Sequence, residues 1–180
     1  MSGKLIAFLV SHSSAGGAQE IWANLAEGFQ ARGYETRLMA LYPYRDARLL
    51  LAGMEWHHVV ARRPTTPLAQ LDMLKSLVDF FRTEKPARVF TAMPAANVLA
   101  ALAGRLAGQQ SVVISHHSPI ETHNPVLNLA DSLTGSLRSV EGVVSVSDTV
   151  SASLDGKPKP YQRKRKTIHN ALPPRIESHL

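Results

Sequence analysis

The alternation of short apolar runs with longer amphipathic segments is the feature that most constrains this fold. Six runs are short and almost continuously apolar, as strands buried on both faces are. They span residues 4–10, 34–42, 56–60, 87–92, 111–117 and 142–147. A last short strand is predicted over 166–170. Strand–helix alternation with short connections predicts an α/β domain whose parallel sheet, of about six or seven strands, carries helices on both faces.

Segments with apolar residues at helical spacing lie between these strands. Helices are predicted over 18–32, 46–52, 68–83, 94–107, 126–139 and 148–154. In the helix over 68–83, one face is predicted to be buried; it consists of Leu71, Leu74, Leu77, Val78 and Phe81. Asp148 is expected to cap the last helix.

Composition limits the class of protein. A length of 180 residues fits one domain, and the absence of cysteine excludes disulfides and thiolate metal sites. No apolar run approaches the ~20 residues that span a bilayer. The apolar N-terminus is interpreted as a first strand rather than a signal peptide, because Gly16 and Gly17 then open an amphipathic helix.

The net charge of +6 is concentrated in one segment, "KPKPYQRKRK" at 157–166, which holds six lysines and arginines. The favoured interpretation is a solvated loop near the domain edge. Contact with an anionic membrane surface or with a phosphorylated ligand is the alternative. Nucleic-acid binding is not expected, because only Tyr161 could stack on a base there.

Polar residues follow four of the predicted strands. They form the stretches Ser11–Gly17, Ala92–Asn97, Ser115–His123 and Ser147–Asp148. Ligands of open α/β sheets bind outside the carboxyl ends of the strands. The sequence therefore predicts a single cleft at that edge.

Gly16 and Gly17 lie between the first strand and the first helix. Glycine permits positive φ and lets a ligand approach the backbone, and the helix that follows offers free N–H groups to an anion. Neither GxGxxG nor GxxxxGKS/T is present, so a plain tight turn remains the alternative.

His116 and His117 end the fifth predicted strand, where alternation points them to opposite faces. With Glu121 and His123 they could suggest a metal site, but the spacing, interrupted by Pro119, fits zinc motifs poorly. A neutral histidine bonded to a sugar hydroxyl or a phosphate is the favoured interpretation. No GxSxG motif or spacing-supported serine–histidine–aspartate set is found.

Four stretches, in order, resemble the retaining GT-B glycosyltransferases of family 4. They are "GGAQEIWANLAEGFQARGYETRLMAL", "VVISHH", "VEGVVSVSDTVSASL" and "KTIHNALPP". The resemblance implies a Rossmann-like N-terminal, acceptor-side domain over 1–172. Residues 173–180 would begin an interdomain linker, and the donor-binding C-terminal domain with its acidic EX7E element would be absent from this chain.

The resemblance also implies an activity. Such an enzyme transfers a sugar from a nucleotide-diphosphate sugar, with retention, to a lipid, polysaccharide or small-molecule acceptor, without an essential metal or cofactor. It would be a cytoplasmic enzyme of the hexosyltransferase type, with peripheral contact at the inner membrane surface as one option, and this domain alone would be inactive. A non-catalytic binding module and a GT-B sugar-nucleotide epimerase are the alternatives; the epimerase is disfavoured because its acid/base carboxylates have no evident match.

Site residues are carried over by position. Gly16, Gly17 and Glu20 fall in the family's phosphate- or substrate-binding loop. His117 fits the family histidine near the transferred sugar, with His116 as the second choice. Weaker, positional roles are implied for Ser147 and Asn170. His169 and Ala171, on either side of Asn170, replace the family's proline and glycine, so that turn is expected to differ.

Overall fold

A computed structural model describes residues 4–14, 16–44, 55–109 and 111–170. Its seven strands form one sheet in the order β3-β2-β1-β4-β5-β6-β7, and every neighbouring pair is parallel. The strands are β1 Leu5–His12, β2 Glu35–Tyr42, β3 Trp56–His58, β4 Arg88–Ala92, β5 Val112–His116, β6 Val140–Ser145 and β7 Arg165–Thr167. The predicted α/β, Rossmann-like class is confirmed.

Six helices and one 3₁₀ turn connect the described strands. They are α1 Gly17–Gln30, α2 Pro67–Glu84, α3 Pro94–Ala107, the 3₁₀ turn Ile120–Thr122, α4 Pro125–Gly135, α5 Asp148–Ser153 and α6 Lys159–Gln162. The predicted helix over 46–52 lies outside the described residues. Proline is the first residue of α2, α3 and α4, where its missing N–H costs no helical hydrogen bond.

Side-chain alternation along β1 divides the core into two layers. Phe8 and its even-numbered neighbours pack with Trp22 and Ala26 of α1. Leu9 packs on the opposite face in the cluster that contains Leu77 and Phe81 of α2. Helices therefore cover both faces of the sheet, which is why the central strands are apolar almost without interruption.

Some local predictions differ from the structure. Leu71 is 61% exposed, because the buried positions of α2 begin only at Met73. α4 ends at Gly135, before the expected boundary at 139. Asp148 is not the cap of α5; the hydroxyl of Ser147 accepts from the Val150 N–H at 3.2 Å instead.

Candidate functional site

The carboxyl ends of β4 and β5 surround a cavity of about 260 Å³. Its lining comes from the β4–α3 connection, the first turn of α3, the end of β5 and the chain that follows it. The residues are Met93, Pro94, Asn97, Ser115, His116, His117, Ser118, Thr122 and His123. Two of the four polar stretches in the sequence thus meet at one site, as ligand binding in open α/β sheets requires.

His117 is held by two contacts. Its Nε2 lies 3.0 Å from the Ser115 hydroxyl. Its ring stands edge-on to Trp22, with centroids 5.6 Å apart, and the Trp22 indole N–H donates to the Leu9 carbonyl. Burial lowers the pKa of His117, so the ring is neutral at neutral pH. The cavity therefore contains an oriented, uncharged imidazole.

Asn97 fixes the end of β5 from the first turn of α3. Its amide nitrogen donates to the Ser115 carbonyl at 3.0 Å, and its amide oxygen accepts from the Thr91 hydroxyl at 2.7 Å. Both side chains are buried. Asn97 was predicted only as the last residue of a polar stretch and was given no site role; its place as the polar residue in an alanine-rich first turn was the available signal.

His116 faces the other side of β5 and joins a buried polar network. Its Nε2 lies 2.7 Å from the Tyr161 hydroxyl, which donates to Asp131 Oδ2 at 2.9 Å. The Lys157 ammonium donates to the same oxygen at 2.8 Å. Burial lowers the pKa of His116 to about 4, so its approach to Asp131 is not an ion pair at neutral pH. Burial also raises the pKa of Tyr161.

This network corrects the interpretation of the basic segment. Tyr161 is fully buried and cannot stack on a base, and Lys157 is only 6% exposed. Lys164 donates to the Gly135 carbonyl at 3.0 Å, and Arg165 pairs with Asp155 at 2.9 Å. Three of the six cations thus serve internal contacts, and the segment is only partly a solvated loop.

The glycine pair has a different geometry from the one predicted. Gly16 is extended, with φ 176°, and Gly17 is the first residue of α1, so neither needs positive φ. A Cβ at Gly17 would meet open space, whereas one at Gly16 would lie 2.7 Å from Gln19 Oε1. Among the residues that the structure describes, no side chain caps α1, and Glu20 is exposed in its first turn. Close backbone approach remains available at Gly17.

Gln19 joins the start of α1 to the cavity. Its amide nitrogen donates to the His12 carbonyl at 3.1 Å and lies 3.8 Å from Met93 Sδ. Met93 lines the cavity and has φ 78°, a strained conformation for this residue type. Such strain concentrates at functional sites. The glycine loop and the cavity are therefore neighbours, as a shared cleft requires.

Ser147 and Asn170 are not among the residues that line this cavity. The Ser147 hydroxyl caps α5, and the Asn170 backbone N–H donates to the Val146 carbonyl at 3.4 Å. Both residues lie just beyond the carboxyl ends of β6 and β7. They lie at the same edge of the sheet as the cavity, but next to β6 and β7 rather than β4 and β5.

Within residues 4–14, 16–44, 55–109 and 111–170, no three histidine, aspartate or glutamate side chains converge as a metal site. Within the same residues, no helix is both long and apolar enough to cross a membrane.

Residues 16–170 match the family model described as "Glycosyl transferase 4-like domain". The chain belongs to this family, and its fold is that of the N-terminal half of a GT-B glycosyltransferase. No curated protein matches the sequence at a significant level.

Solved structures with the same fold include three informative neighbours. The lipopolysaccharide outer core galactosyltransferase WaaB has 12% identity and a TM-score of 0.73, over 93% of this chain and 46% of its own. Anabaena HepE in complex with UDP-glucose has 18% identity and a TM-score of 0.72, over 94% and 44%. UDP-N-acetylglucosamine 2-epimerase from Rickettsia bellii has 8% identity and a TM-score of 0.62, over 91% and 44%. This chain thus spans about half the length of these proteins.

Proposed function

We propose that this chain is the acceptor-side half of a retaining hexosyltransferase. The reaction transfers a sugar from a nucleotide-diphosphate sugar to a hydroxyl of a lipid, polysaccharide or small-molecule acceptor. The observation that carries the proposal is the cavity at the ends of β4 and β5. Contacts with Ser115 and Trp22 hold the neutral ring of His117 in the lining of this cavity. Family membership and UDP-glucose in the HepE complex support the donor class.

His117 has the catalytic role in this proposal. Ser115 occupies its Nε2, which leaves Nδ1 for the transferred sugar or its phosphate. A hydrogen bond that strengthens as charge develops on the leaving diphosphate stabilises the transition state. The ring works as an oriented hydrogen-bonding group, and no protein nucleophile, metal or cofactor is part of the mechanism.

The glycine loop has the phosphate-binding role. The uncapped N-terminus of α1 presents backbone N–H groups and a partial positive charge, and Gly17 has no side chain to keep a phosphate away. Glu20, in the same turn, would accept from a sugar hydroxyl rather than contact phosphate, because like charges repel. Ser147 and Asn170 would position the neighbouring loops.

The donor is proposed to bind mainly to the other half of a GT-B enzyme, so this chain alone would be inactive. UDP-glucose is a suitable probe. The chain has two tryptophans, and Trp56→Phe leaves Trp22, the one against His117, as the reporter. Fluorescence and calorimetry should show weak binding, roughly millimolar, which corresponds to about −4 kcal/mol. Micromolar binding or sugar transfer by the chain alone would contradict this division of labour.

An epimerase with the same fold is the second enzymatic candidate, because one solved neighbour is such an enzyme. The cavity lining consists of imidazole, hydroxyl, amide and apolar groups, which suits hydrogen bonding to a sugar better than acid/base chemistry by carboxylates. Product analysis of this chain joined to the proposed donor-binding half, called here the two-domain protein, distinguishes transfer from epimerisation. Sugar binding without either product would favour a non-catalytic module.

A cytoplasmic enzyme at the inner membrane surface is also part of the proposal. Lys159, Arg163 and Lys166 are exposed and supply cations for anionic headgroups. Co-sedimentation with vesicles that contain anionic lipid should exceed that with neutral vesicles and should fall with added salt. Equal sedimentation with both kinds of vesicle would contradict membrane contact by this segment.

A further inference from the structure

The hydroxyl of Tyr161 determines which nitrogen of His116 carries the proton. A phenol has one hydrogen, and the Tyr161 hydroxyl donates it to Asp131 Oδ2 at 2.9 Å. The same hydroxyl lies 2.7 Å from His116 Nε2. Since its hydrogen is already used, the phenol oxygen accepts here, and Nε2 must be the nitrogen that carries the hydrogen.

Lys157 holds this direction of donation in place. Its ammonium donates to Asp131 Oδ2 at 2.8 Å and also to the Asn128 carbonyl at 3.0 Å. The side chains of Lys157 and Asp131 are 2% and 4% exposed. A carboxylate beside an ammonium accepts hydrogen bonds and donates none. Donation therefore runs from His116 through Tyr161 into Asp131.

The other nitrogen of His116 is left as a bare acceptor. With Nε2 protonated and the ring neutral, Nδ1 carries a lone pair. Nδ1 is buried and has no hydrogen-bond partner among the residues that the structure describes. The His116 side chain is 1% exposed, and His116 lines the cavity beside His117. A buried acceptor without a partner costs free energy. A ligand that donates to Nδ1 therefore gains a hydrogen bond without breaking one inside the protein.

We propose that His116 Nδ1 is a fixed hydrogen-bond acceptor for a hydroxyl of the ligand in this cavity, with its tautomer set by Tyr161, Asp131 and Lys157. A sugar hydroxyl supplies the hydrogen that this nitrogen needs. The esterified phosphates of a nucleotide-diphosphate sugar have no hydrogen at neutral pH and would place an oxygen lone pair against the nitrogen lone pair. His116 Nδ1 therefore favours a neutral, hydroxyl-bearing part of the substrate, and the diphosphate is left to His117 and to the N-terminus of α1. That the hydroxyl belongs to a sugar rests on the proposed function.

Long-range proton–nitrogen NMR of the ¹⁵N-histidine-labelled chain tests the tautomer directly. His116 should show a protonated Nε2 and an unprotonated Nδ1 at neutral pH, with signals assigned from their loss in His116→Gln. Tyr161→Phe removes the acceptor of the Nε2 hydrogen and should shift the Nε2 resonance; Asp131 Oδ1, 3.6 Å from Nε2, is then the nearest acceptor and keeps the hydrogen on this nitrogen. Tyr34→Phe, at an exposed tyrosine, is the matched control and should change nothing. A protonated Nδ1 in the wild-type chain would overturn the inference, whatever the variants do.

Titration with methyl glucoside and, separately, with dimethyl phosphate, which has no O–H to donate, tests the selectivity. The glucoside should shift the His116 Nδ1 resonance, and dimethyl phosphate at the same concentration should not. A shift with dimethyl phosphate alone, or a glucoside that moves only His117, would overturn the inference while leaving the proposed function in place. A glucoside shift at Nδ1 together with no sugar transfer by the two-domain protein would overturn the proposed function and support the inference.

Discussion

Gly135 of α4 packs directly against the ring of Tyr161, and only the absence of a side chain makes room for it. A Cβ at position 135 would collide with ring carbon Cε2 and would lie 2.6 Å from Cδ2. The ring cannot move aside freely, because His116 and Asp131 both bond its hydroxyl. This glycine thus supports the network that sets the tautomer of His116.

Gly135→Ala should therefore destabilise the domain. Overpacking of this kind costs ~1–3 kcal/mol, because the neighbours must leave their preferred positions. Urea unfolding measures the loss. Gly156→Ala is the matched control, since a Cβ there meets open space and should change stability by less than about 0.5 kcal/mol. Equal free energies of unfolding for the two variants would show that the ring of Tyr161 moves aside without loss of stability.

Lys157→Met should be more damaging than Lys159→Met. Removal of the Lys157 ammonium leaves the buried Asp131 carboxylate without its cation, which costs ~3–5 kcal/mol in comparable buried pairs. Lys159 is exposed in the same segment, and its replacement should be nearly neutral. Chemical unfolding of both variants checks this. Similar stabilities would indicate that solvent reaches Asp131.

Stability should fall as the pH falls through the range set by His116. The pKa of this residue is about 4 in the folded chain and 6.5 in its ordinary state. Between these values the unfolded chain binds a proton that the folded chain does not, so the free energy of unfolding decreases by at most ~3 kcal/mol. Below pH about 4 this contribution levels off.

Urea unfolding across this pH range provides the measurement. His116→Gln removes the titrating ring, so the slope of stability against pH should become shallower in that variant. Burial lowers the pKa values of His117 and His123 as well, so some slope should remain. An unchanged slope in His116→Gln would assign the acid sensitivity to other groups.

Gly17→Val in the two-domain protein should reduce activity without reducing stability. The branched side chain would occupy open space at the start of α1, where a phosphate is proposed to approach. We expect at least a tenfold loss of kcat/KM, about 1.4 kcal/mol, with a nearly constant Tm. Gly28→Val, in the last turn of the same helix and away from the proposed phosphate site, is the control. A lower Tm with normal specific activity would favour a plain turn.

His117→Ala should lower kcat in the two-domain protein by the equivalent of about 2–4 kcal/mol, the cost of one preorganised donor. Gln should restore part of this activity, because it keeps a donor at similar reach. His116→Ala should instead lower Tm more, since it breaks a buried network. Measurement of kcat and Tm for His117→Ala, His117→Gln and His116→Ala distinguishes a catalytic role from a structural role for each ring. If His116→Ala alone abolishes turnover, the roles of the two rings are reversed.

The sequence predicted the sheet well because its central strands are buried on both faces. The runs that became β1, β4 and β5 are short and almost continuously apolar, as buried strands are, and the bounds of α3 were predicted to the residue. Predictions failed where tertiary contacts decide which residues are buried and which residue caps a helix. Leu71 shares the periodicity of its helix but lies beyond the core, and Ser147 caps α5 in place of Asp148.

The site was predicted only in outline. The sequence placed His116 and His117 at a strand end and on opposite faces, which the structure shows. The partners of His116 could not be predicted, because Asp131 and Tyr161 lie 30 residues apart and converge only through the packing of α4 against α6. Lys157 belonged to a segment whose charge pattern resembles a solvated surface, and periodicity gives no sign that one of its cations is buried.

The two edges of the sheet also matter for how the chain behaves in a crowded solution. β3 and β7, the outermost strands, are three residues each, and β7 carries Arg165 and Lys166. Short edge strands, one of them charged, offer a foreign strand few backbone groups to pair with, which is how natural sheets avoid adding strands from other molecules. The apolar strands most prone to cross-β assembly are enclosed in the middle of the sheet. The order of the strands thus protects the folded chain against aggregation.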